Sequence, residues 1–236
     1  MGSSEAFQFK LEPFRDLRKN IGEDNFPRGE ILFRHPTIPT EDFFAAARKN
    51  PDTIVPTDLE IFEQAIAEHM RLGHSVSINL NAETFFDDRL LDTLNTIKHN
   101  HPDFRPQDIW LEITEHGGIP KNFDGSRLVI LKELGFALAL DDFDPTKDDE
   151  WERLQIFLPY IDAVKLPYQF MEDIRHNDIM ATSRLIQKSQ IACLGKIMII
   201  EGHRGNDHEY NLFLQSVGID VIQESGFGKD NLAPKL

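Results

Sequence analysis

Phe136-Ala137-Leu138-Ala139-Leu140-Asp141-Asp142 is a short apolar run closed by two aspartates. Its length and flanks read as a buried β-strand whose C-terminal end turns polar. Before it lies a helical pattern, Ser126–Leu134, ended by Gly135, and before that the run Asp108–Thr114. After it comes another helical pattern, Asp149–Leu158, and then the run Asp162–Leu166. Strand, helix and strand at this spacing predict parallel strands joined by crossover helices.

The same alternation extends both ways. Further candidate strands are Phe7–Leu11, Glu30–Arg34, Ser75–Leu80, Lys196–Glu201 and Asp220–Gln223. Further helical patterns lie near Thr40–Lys49, Thr57–Leu72, Thr84–His99, Asn177–Ala192 and His208–Ser216. Thr57 and Thr84 read as N-caps, and Gly73, Gly135 and Gly218 as helix ends. Eight strands with intervening helices predict an α/β fold, a (β/α)8 TIM-like barrel. No convincing helix separates the first two strands, so that pair reads as a hairpin with an antiparallel first strand. A doubly wound open sheet is the alternative; Gly226-Phe227-Gly228 is too short for a dinucleotide fingerprint and precedes no helix.

The 236 residues suffice for one large core or two small ones, and 18 Phe supply much of the apolar area. No run of about 18 apolar residues suggests a membrane span. Met1-Gly2-Ser3-Ser4 lacks a secretory layout, and residues 1–5 are expected to be disordered or a cloning remnant. Cys193, the only cysteine, excludes an internal disulfide and reads as a small buried hydrophobe; a cytoplasmic setting suits this. A net charge of −15 argues against binding a DNA or RNA polymer, though not against a small phosphorylated ligand.

Polar residues recur in or at the ends of the apolar runs: Glu30 and Arg34, Asn79, Glu112 and Glu115, Asp141 and Asp142, Lys165, Glu201, and Gln223. A parallel barrel brings its strand C-termini to one rim, where such residues would meet. Any one of them, Glu115 and Gln223 especially, is more often a cap or a solvated loop residue. The set is different. Two unit charges about 4 Å apart repel by roughly 1 kcal/mol in water and about 4 kcal/mol near a protein surface. Converging carboxylates therefore require protons or cations. Oxygen ligands with one Asn and no Cys point to Mg²⁺ or Mn²⁺ rather than structural zinc. Two divalent ions with Lys165 would neutralise Glu30, Glu112, Asp141, Asp142 and Glu201, leaving Arg34 for a phosphodiester. Adjacent aspartates suit two ions sharing a carboxylate, an arrangement used for phosphoryl hydrolysis.

These residues resemble the motifs of EAL domains, the bacterial cyclic-di-GMP phosphodiesterases. Glu30-Ile31-Leu32-Phe33-Arg34 is similar to E-A-L-L-R, Ser77-Ile78-Asn79-Leu80-Asn81 to S-V-N-L-S, and Leu111-Glu112-Ile113-Thr114-Glu115 to L-E-I-T-E. Leu140-Asp141-Asp142-Phe143 matches L-D-D-F, Asp162-Ala163-Val164-Lys165 resembles D-x-L-K, and Glu201-Gly202 resembles the start of E-G-V-E. Gln223 through Gly228 is similar to Q-G-Y-L-F-G. Each motif alone is weak, but their common order is specific. The resemblance runs from about Phe7 to Ala233 and implies one EAL-like barrel domain over residues 1–236. It implies metal ligation by Glu30, Asn79, Glu112, Asp141, Asp142 and Glu201. Lys165 would orient or activate the attacking water, with Glu201 and Asp142 also catalytic. Arg34, Gln223 and Glu12 would face substrate, and Glu115 would steady the loop after the Asp-Asp pair. The implied reaction opens cyclic-di-GMP to linear pGpG.

The chain departs from the family at several places. D-F-G-x-G-Y-S-S-L is replaced by Phe143-Asp144-Pro145-Thr146-Lys147-Asp148-Asp149-Glu150-Trp151, without glycine, so this loop must take another shape. The fourth letter of E-G-V-E falls on Arg204, which would weaken a second metal site; Asp207 could supply a carboxylate instead. Glu12 and Glu224 bring negative charge toward the ligand, either as rim residues or as acceptors for a guanine edge. Three functions follow. The first is metal-dependent hydrolysis of cyclic-di-GMP. The second is a catalytically inactive cyclic-di-GMP-binding receptor signalling through a protein partner. The third is a degenerate domain acting by protein contact alone. A homodimer through the loop after Asp142 and the next helix is a further family expectation. Phe43-Phe44 and Phe85-Phe86 read as core, and His99-Asn100-His101 as a solvated helix end.

Overall fold

The computed structural model describes residues 7–18, 26–114, 118–121, 123–170, 179–202 and 208–224. The expectation for residues 1–5 lies outside them. Strands β1 (Gln8–Asp16) and β2 (Gly29–Arg34) are antiparallel. Next come α1 (Thr40–Arg48), α2 (Pro51–Leu72), β3 (Val76–Leu80), α3 (Ala82–Phe85), α4 (Arg89–Asn100) and β4 (Ile109–Ile113). They are followed by α5 (Ser126–Leu134), β5 (Ala137–Leu140), α6 (Asp148–Phe157), β6 (Ala163–Leu166), α7 (Ile179–Ala192), β7 (Ile197–Glu201), α8 (His208–Ser216) and β8 (Val221–Gln223). The strands close into a barrel in sequence order, which rules out the doubly wound sheet. Strands β2 through β8 are parallel, and β1 is antiparallel to both neighbours.

Strand β1 continues past its predicted end at Leu11. Pro13 lacks an N–H for a ladder. Pro13 stands where β1 changes partners: Pro13 opposes Gly29 of β2, and Phe14 opposes Gln223 of β8. A proline is tolerated at such a handover. Gly29 has its own reason, because a Cβ there would overlap the Glu12 carbonyl. Helix α2 starts before its predicted cap at Thr57. Asn50 is the N-cap, its side chain accepting from the Asp52 N–H at 3.1 Å, and Pro56 lies inside the helix. The pattern from Thr84 to His99 is two helices, and Thr84 is buried inside the first rather than capping it. Gly73 and Gly135 end their helices in the left-handed conformation, as read.

Two apolar layers hold this arrangement. The larger lies between strands and helices, where Phe62, Phe85, Leu111, Leu138, Phe157 and Ile200 are almost wholly buried. The smaller fills the lower barrel interior: Trp110, Ala139, Ala163, Ile199 and Val221, with Phe14 and Phe26 packed against it. Period-two alternation sends Leu138 and Leu140 outward to the helices and Ala139 inward. The small Ala139 and Ala163, paired in register, leave room for Trp110. Above this plug the inward positions turn polar, and that change creates the site. Among the described residues no helix is long and apolar enough to cross a membrane. Cys193 is buried, and desolvation raises its thiol to about 11, in keeping with a packing role.

Candidate functional site

Lys165, projecting inward from β6, is fully buried at the centre of the polar layer. Its Nζ lies 2.5 Å from Glu112 Oε2, 2.8 Å from Asp141 Oδ1, 2.9 Å from Glu201 Oε1 and 3.1 Å from Glu30 Oε2. These carboxylates come from β4, the end of β5, β7 and β2. Burial alone would lower the pKa of this lysine, but the four surrounding carboxylates outweigh it and hold the ammonium well above its ordinary value. The carboxylates move the other way. Desolvation raises Glu30, raises Glu112 well above the usual range with Glu30 adding to the effect, and pushes Glu201 up to about 8 despite Lys165. One ammonium does not neutralise this much buried negative charge, so the cluster has affinity for further cations or protons.

The remaining oxygen contacts are specific. Asn79 Nδ2 and Gln223 Nε2 both donate to Glu30, the latter at 2.5 Å. Asn79 Oδ1 is buried and has no hydrogen-bond donor. Oxygens of Asp141, Asp142 and Glu201 lie within 4.8 Å of one another. Asp142 is the only non-glycine among the described residues with positive φ, 49°, a conformation Asp tolerates better than most residues. A carboxylate triad, an orphaned amide oxygen and no thiolate fit a hard divalent cation. Gly202 lets the chain leave Glu201: its φ is 89°, and a side chain there would overlap the Tyr168 ring.

Of the expected substrate-facing residues, Gln223 and Glu12 are buried within the barrel, and Arg34 stands half-exposed at the end of β2. Glu12 is no rim residue. Its carboxylate lies 2.9 Å from Lys10 Nζ, 3.4 Å from Gln223 Nε2 and 3.9 Å from Arg34 Nη2. Glu224 is paired with Arg15 at 2.8 Å. Glu115, Arg204 and Asp207 lie outside the described residues.

The glycine-free loop has its own construction. Phe143 is buried and meets Trp151 edge-on at 5.2 Å, and Trp151 Nε1 donates to Pro145 O at 3.0 Å. Asp144 Oδ1 accepts from the N–H and hydroxyl of Thr146 at 3.0 and 2.6 Å. The sequence reading overlooked Arg153. This buried side chain donates to the Asp141 carbonyl at 2.9 Å and to the Ile113 carbonyl at 2.8 Å, tying two strand ends together beneath the acidic cluster. An arginine within a helical pattern carries no local sign of that role.

A cavity of about 240 Å³ opens beside the cluster, bounded by Asn79, Asp141, Asp142, Arg34, Arg48 and Phe44 among others. A larger cleft of about 460 Å³ lies at the opposite end of the barrel, against Trp110 and Phe26, and contains none of the acidic cluster.

Solved structures share this architecture. The EAL enzyme Bd1971, in its cAMP- and cyclic-di-GMP-bound form, is 21% identical with a TM-score of 0.72, matching 93% of this chain and 61% of its own. This chain thus spans about three fifths of that protein. Klebsiella pneumoniae BlrP1, in a manganese and cyclic-di-GMP complex, is 26% identical with a TM-score of 0.71, over 95% of this chain and 56% of its own. The Xanthomonas citri FimX EAL domain, in complex with cyclic-di-GMP, is 18% identical with a TM-score of 0.69, over 92% of this chain and 85% of its own. No curated protein sequence matches the chain. The sequence matches the EAL domain family over residues 31–192, most of the barrel including Asn79, Glu112, the Asp-Asp pair and Lys165. The chain therefore belongs to the EAL domain family.

Proposed function

We propose that the protein is a metal-dependent phosphodiesterase that hydrolyses cyclic-di-GMP to linear pGpG. The observation that carries this reading is the convergence of Glu112, Asp141, Glu201 and Glu30 on Lys165, with Asn79 and Asp142 alongside. Glu30, Asn79, Glu112, Asp141, Asp142 and Glu201 would hold Mg²⁺ or Mn²⁺, and the Asp141–Asp142–Glu201 group is the best-formed part of that set. When bound, the cations would supply charge stabilisation for phosphoryl oxygens and acidify water. The chain supplies the rest. Lys165, held protonated by its carboxylates, orients water and a phosphoryl oxygen as a donor rather than abstracting a proton. Arg34, which lines the cavity edge, would contact a phosphate. Water adds across one P–O bond, and the displaced ribose oxygen leaves with a proton.

The altered loop after Asp142 favours one other reading, a receptor that binds the nucleotide without cleaving it. Incubation with cyclic-di-GMP and Mg²⁺ or Mn²⁺, followed by chromatography and a parallel binding titration, separates the two. Metal-dependent pGpG that disappears in Asp141→Ala supports the enzyme. Saturable binding without product makes the protein a receptor, and neither signal leaves protein contact as its activity. A homodimer and a cytoplasmic location belong to the same proposal.

A further inference from the structure

Two guanidinium groups reach the cavity beside the acidic cluster, and they are differently placed. Arg34 lies at the edge near Glu12 and donates to the Phe33 carbonyl at 2.8 Å. Arg48, the last residue of α1, has no carboxylate partner among the described residues. Its Nη2 donates to Asn81 Oδ1 at 2.7 Å, while its Nε is buried without a hydrogen-bond partner. The Phe44 ring lies 5.8 Å from its guanidinium carbon. Asn81 is itself anchored, its backbone N–H donating to buried Asp58 at 2.9 Å. Arg48 is thus a half-buried, positioned fork with donor capacity to spare.

The walls around it decide what those donors suit. Phe9, Phe33, Phe44, Ile61 and Ile78 make much of the lining apolar, and Asp141 and Asp142 close another side. A phosphate placed at Arg48 would lose hydration against the aromatic rings. A neutral planar base would stack on such walls at little cost. An arginine fork matches the O6 and N7 acceptors of guanine, whereas adenine presents an amino donor in place of O6.

We propose that Arg48 is the specificity-determining residue of the cavity: it donates to O6 and N7 of one guanine of the bound dinucleotide and thereby selects guanine over adenine. This rests on the cyclic-di-GMP reading above. The test is calorimetric titration of the full chain in Ca²⁺ with two probes, cyclic-di-GMP and cyclic-di-AMP. The wild type is expected to prefer cyclic-di-GMP. Arg48→Ala and Arg48→Gln should weaken cyclic-di-GMP by roughly ten- to a hundredfold, the range for losing a bidentate base contact, and leave cyclic-di-AMP unchanged. Arg48→Gln can still donate to Asn81 and guards against loss of folding, and thermal melts of both variants check it. Equal weakening of both nucleotides, or an unchanged preference, would overturn the proposal and reduce Arg48 to a support for Asn81. A wild type that binds neither nucleotide would overturn the cyclic-di-GMP reading and this one with it.

Discussion

Arg153 Nη1 donates to the backbone carbonyl of Asp141 at 2.9 Å, so a side chain of α6 fixes the position of a carboxylate at the end of β5. Its Nη2 reaches the Ile113 carbonyl at 2.8 Å, and Glu150 balances its charge at 3.0 Å. Replacing it by Arg153→Met removes the side-chain donor to the Asp141 carbonyl, at a cost of about 1–3 kcal/mol, whereas the Ile113 carbonyl still accepts from the Asp141 N–H at 3.1 Å. We expect a lower Tm and weaker metal binding in Arg153→Met, with Arg153→Lys intermediate. Thermal melts with and without Mn²⁺ check both, and an unchanged metal response would confine Arg153 to stability.

The raised pKa of Glu201 gives a pH dependence with a definite sign. Its folded value of about 8 lies above the ordinary 4.5, so the folded state holds an extra proton between those pH values. The stability this gives is complete below about 4.5 and is lost as pH rises through about 8. Divalent cations compete with that proton. The rise in Tm on adding Mg²⁺ or Mn²⁺ should therefore be larger at pH 8.5 than at pH 6. A shift independent of pH would place the bound cation away from Glu201.

Asp58, which lines the cavity beside the acidic cluster, offers a second titration. Full burial raises it from 3.8 to about 6, although the Asn81 N–H donates to it at 2.9 Å. Its stabilising contribution is present below 3.8 and lost by about pH 6, on the order of 3 kcal/mol at 1.36 kcal/mol per pH unit. Asp58→Asn preserves an acceptor for the Asn81 N–H and removes the charge. It should match the wild type near pH 4 and exceed its stability at pH 7. Denaturant unfolding at the two pH values measures the difference, and a variant less stable at pH 7 would contradict it.

Gly202→Ala tests the geometry after Glu201. The substitution places a methyl group into the Tyr168 ring at a residue with φ of 89°. The backbone penalty alone is about 1–2 kcal/mol. Stability should fall by more than that, and Gly202→Ala with Tyr168→Ala should recover the part due to the clash. A double variant no more stable than the single would assign the whole cost to φ.

Much of this was legible in the sequence, for local reasons. Strand and helix order followed from apolar runs alternating with helical periodicity, and the missing helix between Leu11 and Glu30 announced the antiparallel first strand. The polar strand ends, Asn79, Glu112, Asp141, Asp142, Lys165 and Glu201, stood out because each interrupts or closes an apolar run. Placement was another matter. Gln223 and Glu224 are adjacent and both polar, yet one is buried beside Glu30 and the other pairs with Arg15. Which parity faces inward depends on the register with which β8 meets β1, and no local pattern encodes it. Arg153, Arg48 and Glu12 likewise acquire their roles from partners distant in sequence. Sequence by itself determined the barrel and its acidic interior, because periodicity and composition are local properties. Only the tertiary structure decided which charges face one another, because that depends on strand register and on helices packing over the strand ends.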